Sequence, residues 1–201
     1  MSQDGSNQSR RRFLTGATSV VGAVGVVGAA VPFVKSWVPN AKARSAGAPV
    51  TANISKVEPG AMMTVEWRGK PVYVVRRTPE VLAQLANQVR EYVDDPDSEE
   101  DERPEYVSGD ARAIEGHEEY LVAVGLCTHL GCAPQFRPDV GAADLGGDEW
   151  LGGFFCPCHG SKFDLSGRVY KDVPAPKNLE VPPYRFKSDT VIVIGEDQES
   201  V

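Results

Sequence analysis

Two short segments concentrate the residues of this chain that could bind a metal or transfer electrons. The first box is Cys127-Thr-His-Leu-Gly-Cys132, and the second box is Cys156-Pro-Cys-His-Gly-Ser161. Together the boxes hold all four cysteines and two of the three histidines of the chain. Each box can offer one thiolate and one imidazole to a shared centre, with one further cysteine left over. Two cysteines on one iron and two histidines on the other form a known ligand set for a 2Fe–2S cluster.

The spacing predicts four ligands for a Rieske-type 2Fe–2S cluster, one Cys and one His from each box: Cys127, His129, Cys156 and His159. The same side chains could hold a zinc ion, but structural zinc sites usually contain C-x2–4-C pairs, whereas these pairs are C-x-H and C-x-x-H. A cluster on the four cysteines, or two disulfides without metal, would leave the adjacent histidines without a role. The pattern therefore favours the iron–sulfur cluster.

The N-terminal segment predicts export and a membrane anchor. Ser9-Arg-Arg-Arg-Phe-Leu14 is similar to a twin-arginine signal, and an uncharged apolar run follows over residues 13–34. As a helix this run would be about 33 Å long, enough to cross a bilayer core of about 30 Å. We expect residues 1–12 to be cytoplasmic, residues 13–37 to be a retained transmembrane anchor, and the helix to end or bend at Pro32.

Beyond the anchor, residues 38–50 are small and polar without an apolar period, which is typical of a flexible tether. The signal and its arginines place the N-terminus in the cytoplasm, so the rest of the chain is expected on the periplasmic side of a bacterial inner membrane. That compartment is oxidising enough to preserve disulfides.

The charge distribution argues against a nucleic-acid partner. Residues 1–44 carry six basic side chains and one acidic, whereas residues 45–201 carry 15 basic and 27 acidic side chains. Phosphate binding needs lysine and arginine, which this acidic region does not supply in excess. Eight of its acidic residues lie in 94–105, a stretch that predicts either a solvated loop or a docking surface.

Short β-type runs dominate the remainder, and they lead directly into the two boxes. Thr78-Pro-Glu80 predicts the start of a helix, with a capping side chain followed by proline at the first helical position. The predicted strands are Met63–Trp67 and Pro71–Arg76, joined by a turn at 68–70, then Tyr120–Val124 before the first box, Leu151–Phe155 before the second box, and Thr190–Ile194. The fold class is therefore mostly β.

At the boxes, and at Phe163-Asp164, Gly167-Arg168 and Pro174-Ala-Pro-Lys-Asn-Leu179, the chain closely resembles the Rieske subunit of the quinol–cytochrome c reductase (cytochrome bc complex) family. The resemblance extends over nearly the whole chain. It implies a Rieske-type antiparallel β-sheet domain over residues 51–201, with an inserted cluster-binding subdomain at about 126–178. It also implies a disulfide between Cys132 and Cys158.

The functional implications of the resemblance are equally specific. The protein would accept one electron and a proton from quinol, pass the electron to a c-type cytochrome, and contribute to proton translocation beside a cytochrome b subunit, in a dimeric complex. His159 would contact the quinol with His129 beside it, and Ser161 would donate a hydrogen bond to the cluster. Phe163 stands where many relatives carry a tyrosine. Residues 38–50 would act as the hinge on which the domain swings.

Two other functions use the same ligand set. One is the small Rieske subunit of an exported molybdenum enzyme such as arsenite oxidase, and the other is a soluble Rieske ferredoxin that supplies an oxygenase. The long anchor and the Pro-Ala-Pro run favour the quinol–cytochrome c reductase over the first. The additional cysteines, Cys132 and Cys158, and the export signal argue against the second.

Overall fold

The computed structural model describes residues 7–40, 47–100 and 102–198, and it separates into an N-terminal unit up to Ser45 and a second unit from Ala46. Residues 1–6 of the predicted cytoplasmic segment, 41–46 of the predicted hinge, and Asp101 of the acidic stretch lie outside the described residues.

The N-terminal unit contains one long helix, α1 (Gln8–Ser36), whose residues are all exposed. The side chain of Asn7 accepts a hydrogen bond from the N–H of Arg10 and so caps the helix. An 18-residue stretch of α1 has a mean hydropathy of 2.0, so the helix is long and apolar enough to cross a membrane. The helix continues through Pro32 to Ser36, so of the two predicted outcomes, an end or a bend at Pro32, the end is wrong. A proline removes only one helical hydrogen bond, and apolar spanning helices tolerate that loss.

The second unit is built almost entirely from short antiparallel strands, which confirms the predicted fold class. Within the described ranges its strands are β1 Val50–Asn53, β2 Met62–Trp67, β3 Lys70–Arg76, β4 Val107–Ser108, β5 Ala113–Ile114, β6 Tyr120–Val124, β7 Gln135–Arg137, β8 Gly153–Phe155, β9 Lys162–Asp164, β10 Tyr184–Ser188 and β11 Val191–Ile194. They form three three-stranded sheets, β1-β11-β10, β2-β3-β6 and β7-β8-β9, and the pair β4-β5. The first strand of the unit therefore pairs with its last, with Val50 opposite Ile194.

Local sequence signals explain the elements that were predicted. Arg68 and Gly69 both have positive φ, 51° and 72°, as a tight two-residue turn between β2 and β3 requires. The helix α2 (Pro79–Asn87) begins where predicted, and the Thr78 hydroxyl accepts a hydrogen bond from the N–H of Val81 at 3.4 Å. Of the predicted strand at 151–155, only the part that forms β8 is a strand.

The sheet β2-β3-β6 is the middle layer of the unit because β3 and β6 are buried on both faces. Along β3, Val72 and Val74 belong to one hydrophobic core with Tyr184 and Ile192 of the sheet β1-β11-β10. The alternate residues of β3 and β6 belong to a second core: Tyr73, Val75, Leu121 and Ala123. This core also contains the first cysteine of each box, Cys127 and Cys156, together with Phe154 and Phe163. Since successive side chains of a strand point to opposite faces, one pair of strands supports both cores.

Buried arginines join segments that are far apart in the sequence. Arg77, 2% exposed, donates hydrogen bonds to the carbonyls of Ala111, Leu165 and Glu118. Arg112, fully buried, donates to the carbonyls of Ser166 and Leu179 at 2.6 and 2.7 Å. Burial lowers the pKa of Arg77 to about 10, so its side chain remains positively charged at neutral pH.

The acidic stretch 94–105 is only partly a solvated loop. Asp97, Glu99 and Glu100 are exposed, but Ser98 is 5% exposed. The N–H of Asp94 donates to the carbonyl of Val169 at 2.9 Å, so this stretch packs against the chain that follows the second box.

Candidate metal centre

The two boxes fold into equivalent loops. In the first box, the N–H of Cys127 donates to the carbonyl of Cys132, and the N–H of Gly131 donates back to Cys127, both at 2.8 Å. The second box repeats these bonds at 2.8 and 2.9 Å between the corresponding residues: Cys156 to Ser161, and Gly160 to Cys156. Gly131 and Gly160 have φ of 80° and 82°, which side chains other than glycine rarely adopt. The repeat indicates two half-sites that present the same kinds of ligand.

The four cysteines separate into two roles. Cys127 and Cys156, the first residue of each box, are free thiols, 3% and 1% exposed, that belong to the second hydrophobic core. Cys132 and Cys158 are joined by a disulfide, so the pairing implied by the resemblance is present in the structure. The sulfurs of Cys132, Cys156 and Cys158 all lie within 4.8 Å of one another. Two of these sulfurs are already bonded to each other, so this group cannot supply three thiolates.

The two histidines of the boxes lie side by side at the surface. Their ring centroids are 4.8 Å apart with the planes nearly perpendicular, and His159 is the more exposed of the two. The Nδ1 atom of His129 is buried without a hydrogen-bond partner among the described residues. An unsatisfied buried nitrogen is costly, and coordination to a metal would satisfy it. The structure thus places the two imidazoles side by side, and the loops that carry them also carry the free thiols Cys127 and Cys156.

The surroundings of Cys127 fit a metal-bound thiolate. Burial raises the pKa of the Cys127 thiol, while hydrogen bonds from the N–H of His129 and the hydroxyl of Ser161 oppose that rise. A coordinated metal deprotonates a thiol, and these donors would then stabilise the negative charge on the sulfur. Two buried thiols, two adjacent imidazoles and preformed donors to sulfur fit a 2Fe–2S cluster.

The loop at 174–178 closes the site from one side. The Ser161 hydroxyl is fully buried and accepts a hydrogen bond from the N–H of Ala175 at 3.0 Å. The Thr128 hydroxyl donates to the carbonyl of Lys177 at 2.6 Å. Ser161, predicted as a residue that binds the cofactor, is therefore held between this loop and the sulfur of Cys127.

Tyr73 is a residue of the site that the sequence did not reveal. Its hydroxyl donates to the carbonyl of Pro134 at 2.8 Å, and its ring stacks on Phe154 with centroids 5.5 Å apart. Burial raises the pKa of Tyr73, and the nearby Cys156 raises it further. A Cβ at Gly125 would lie 2.3 Å from the Tyr73 ring, so only glycine fits between this ring and the first box. The only feature of the sequence that could have indicated Tyr73 is the presence of a tyrosine within the run of valines in β3.

The comparisons with known proteins agree with this geometry. Residues 48–184 match the family described as the Rieske [2Fe-2S] domain, and residues 1–40 match the TAT signal of the ubiquinol–cytochrome c reductase Fe–S subunit. Over 200 residues the chain is 58% identical to the ubiquinol–cytochrome c reductase iron–sulfur subunit of Allochromatium vinosum, covering 100% of this chain and 95% of that protein.

The corresponding subunit of Blastochloris viridis is 43% identical over 196 residues, covering 96% of this chain and 97% of that protein. A chain of the solved structure "Hyperthermophilic respiratory Complex III" aligns with a TM-score of 0.48 and 23% identity, covering 89% of this chain and 99% of that one. On the sequence matches, the chain belongs to the family of Rieske iron–sulfur subunits of ubiquinol–cytochrome c reductase, which bind a 2Fe–2S cluster.

Proposed function

We propose that Cys127 and Cys156 hold one iron of the cluster and that His129 and His159 hold the other. The observation that carries this assignment is the pair of equivalent loops, each of which begins with a buried free thiol and holds one imidazole. The imidazole follows the thiol by two residues in the first loop and by three in the second. The unsatisfied Nδ1 of His129 supports it as well. When bound, a cluster with this ligand set supplies a one-electron acceptor with a potential of about −150 to +300 mV.

His159 is the proposed contact with quinol because it is the exposed ligand. With one ring nitrogen on the metal, the other ring nitrogen of His159 would have to be deprotonated first; it would then accept a hydrogen bond from a quinol hydroxyl and could take up its proton. Leu130, which is 71% exposed, adds apolar surface next to His129 for a hydrophobic quinol ring. The same side chain would thus contact the substrate and hold the cluster: His159 would take up one proton of quinol, and the cluster would supply the acceptor for one electron.

The remaining parts of the chain fit a membrane-bound subunit of a cytochrome bc complex. In the proposed topology, residues 1–12 are cytoplasmic, residues 13–37 cross the inner membrane, and residues 38–50 are the hinge. The Rieske domain, 51–201, with its cluster-binding subdomain at about 126–178, then lies in the periplasm. There it passes electrons to a c-type cytochrome beside a cytochrome b subunit, in a dimeric complex. The apolar length of α1 and the match of residues 1–40 to a TAT signal support this topology.

The test is an EPR spectrum of membranes containing the protein, reduced with ascorbate. We expect a rhombic signal that shifts when an inhibitor of the quinol site is added. A signal that appears only with dithionite would indicate a low-potential cluster and would contradict quinol oxidation.

The same spectrum tests the ligands. His159→Gln should abolish the rhombic signal because it removes one of the two nitrogen ligands to iron. The matched control is His117→Gln, which changes the one histidine outside the boxes; that ring stacks on Phe186 with centroids 3.7 Å apart. The control should keep the signal. A rhombic signal that survives in His159→Gln would refute the assignment.

Phe163→Tyr is expected to raise the midpoint potential. Phe163 is fully buried in the same core as Cys127 and Cys156, and the resemblance places at this position a tyrosine that donates a hydrogen bond to a ligand sulfur. Such a donor stabilises the extra electron. One hydrogen bond of about 1 kcal/mol corresponds to about 40 mV for a one-electron couple. A redox titration measures the shift, with Phe136→Tyr on the nearby strand β7 as control; no shift, or a fall, would reject the prediction.

A further inference from the structure

The loop at 174–178 is fixed at three points, and only two of them belong to the boxes. The N–H of Ala175 donates to Ser161 of the second box, and the carbonyl of Lys177 accepts from Thr128 of the first box. The third point is the side chain of Asn178, which is 2% exposed and points away from the boxes into the acidic stretch.

Asn178 uses both ends of its amide. Its Oδ1 accepts a hydrogen bond from the N–H of Val169 at 2.8 Å. Its Nδ2 donates to the carbonyl of Asp95 at 3.1 Å and to the hydroxyl of Ser98 at 3.2 Å. A buried amide with donors and acceptor all satisfied holds one orientation, so it transmits the position of one segment to the other.

The segment that accepts these hydrogen bonds, residues 95–100, has a fixed conformation. The carboxylate of Asp95 accepts hydrogen bonds from the N–H groups of Glu99 and Glu100 at 2.9 and 3.1 Å, which closes a turn over residues 95–100. Ser98 has φ of 57° within this turn and is nevertheless buried. A serine held in the left-handed region costs free energy and persists only where its surroundings fix it. That conformation places the Ser98 hydroxyl on Asn178.

We propose that Asn178 is a positioning residue through which the acidic turn 95–100 sets the reduction potential of the cluster. By fixing the loop, Asn178 holds the N–H of Ala175 on the oxygen of Ser161, and this bond directs the Ser161 hydroxyl towards the sulfur of Cys127. Loss of the Asn178 contacts releases the loop and weakens that donor, which leaves more negative charge on the cluster and lowers its potential. The inference rests on the ligands proposed above, and it gives the acidic stretch a role inside the protein.

The test uses Asn178→Asp in the full-length protein purified with its cluster. This variant keeps an acceptor for Val169 but loses the donations of the amide nitrogen to the acidic turn. The matched control is Lys177→Gln, which changes the net charge by the same amount at the neighbouring exposed side chain and leaves the backbone carbonyl in place. Ser98→Ala removes one acceptor from the opposite side and should act in the same direction, more weakly.

Two measurements report the effect. Ala175 lies between Pro174 and Pro176, so its amide is the only exchangeable backbone hydrogen of that tripeptide. Hydrogen exchange at Ala175 should become about tenfold faster in Asn178→Asp, because several hydrogen bonds that hold the loop are lost. The midpoint potential should fall further in Asn178→Asp than in Lys177→Gln, which reports the effect of the charge alone. Lys177→Gln should leave exchange at Ala175 unchanged.

An equal rise in exchange at all amides would mean general destabilisation and would overturn the proposal. Unchanged exchange and potential in both Asn178→Asp and Ser98→Ala would overturn it as well. If Asn178→Asp does not fold, hydrogen exchange at Ala175 and the midpoint potential of Ser98→Ala decide whether the proposal holds. Exchange at Ala175 does not depend on which side chains bind iron, whereas the EPR result for His159→Gln does, so failure of the ligand assignment is recognised separately.

Discussion

Replacing Arg168 with leucine is expected to lower the free energy of unfolding by about 3–5 kcal/mol, because it leaves a buried carboxylate without its partner. Arg168 and Asp164 are both fully buried, and the Arg168 Nε donates to Asp164 at 2.7 Å. The other guanidinium nitrogens donate to Asp110 and to the carbonyl of Leu85, both at 2.9 Å. One side chain thus joins the strand after the second box to the helix α2 and to the segment before β5.

Urea denaturation of the purified protein, followed by circular dichroism, would measure this loss. Arg90→Leu is the matched control, because Arg90 forms ion pairs with Asp97 and Asp110 but is 37% exposed. Exposed ion pairs contribute about 1 kcal/mol or less, so the control should change little. Equal losses in the two variants would show that burial of the Arg168 pair is not the cause.

The second large effect concerns the disulfide. Replacing Cys132 and Cys158 together with serine should lower the free energy of unfolding by about 3–4 kcal/mol, since the bond closes a loop between residues 26 positions apart. Both residues must be changed, because a single replacement leaves a thiol whose sulfur lies near that of Cys156 and could compete as a ligand. The cluster should also be lost faster on dilution into chelator, because the covalent link between the two boxes is then absent.

Thermal unfolding of the double variant, with and without a thiol reductant, would check this expectation. Reductant should lower the midpoint of the wild-type protein and leave the double variant unchanged. A double variant that unfolds at the wild-type temperature would contradict the prediction.

The proposed ligands could be predicted from the sequence because each box is continuous. Its spacing, its glycine and the strand before it are all local, so Cys127 and His129 could be placed together without knowledge of the fold. The same holds for the cap at Thr78 and the turn at Arg68 and Gly69, where the residue type alone determines the backbone geometry.

The supporting contacts could not be predicted, because their partners come from distant segments. Asn178 and Asp95 are 83 positions apart, and Tyr73 and Pro134 are 61 positions apart. Arg77 and Arg168 would be expected at the surface on residue type, since arginine is rarely buried without partners. Their burial depends on carbonyl groups that only the assembled fold provides. The acidic stretch likewise predicted a solvated loop, although Ser98 within it is buried.

The pairing of β1 with β11 has a consequence for how the protein is made. Because Val50 lies opposite Ile194, the outer sheet lacks its central strand until nearly all of the domain has been synthesised on the ribosome. Contacts of such large sequence separation form slowly, since the loop must be closed before they are gained. The domain should therefore remain incomplete until β11 has been synthesised. Until then the cysteines of the two boxes remain accessible for the assembly of an iron–sulfur cluster.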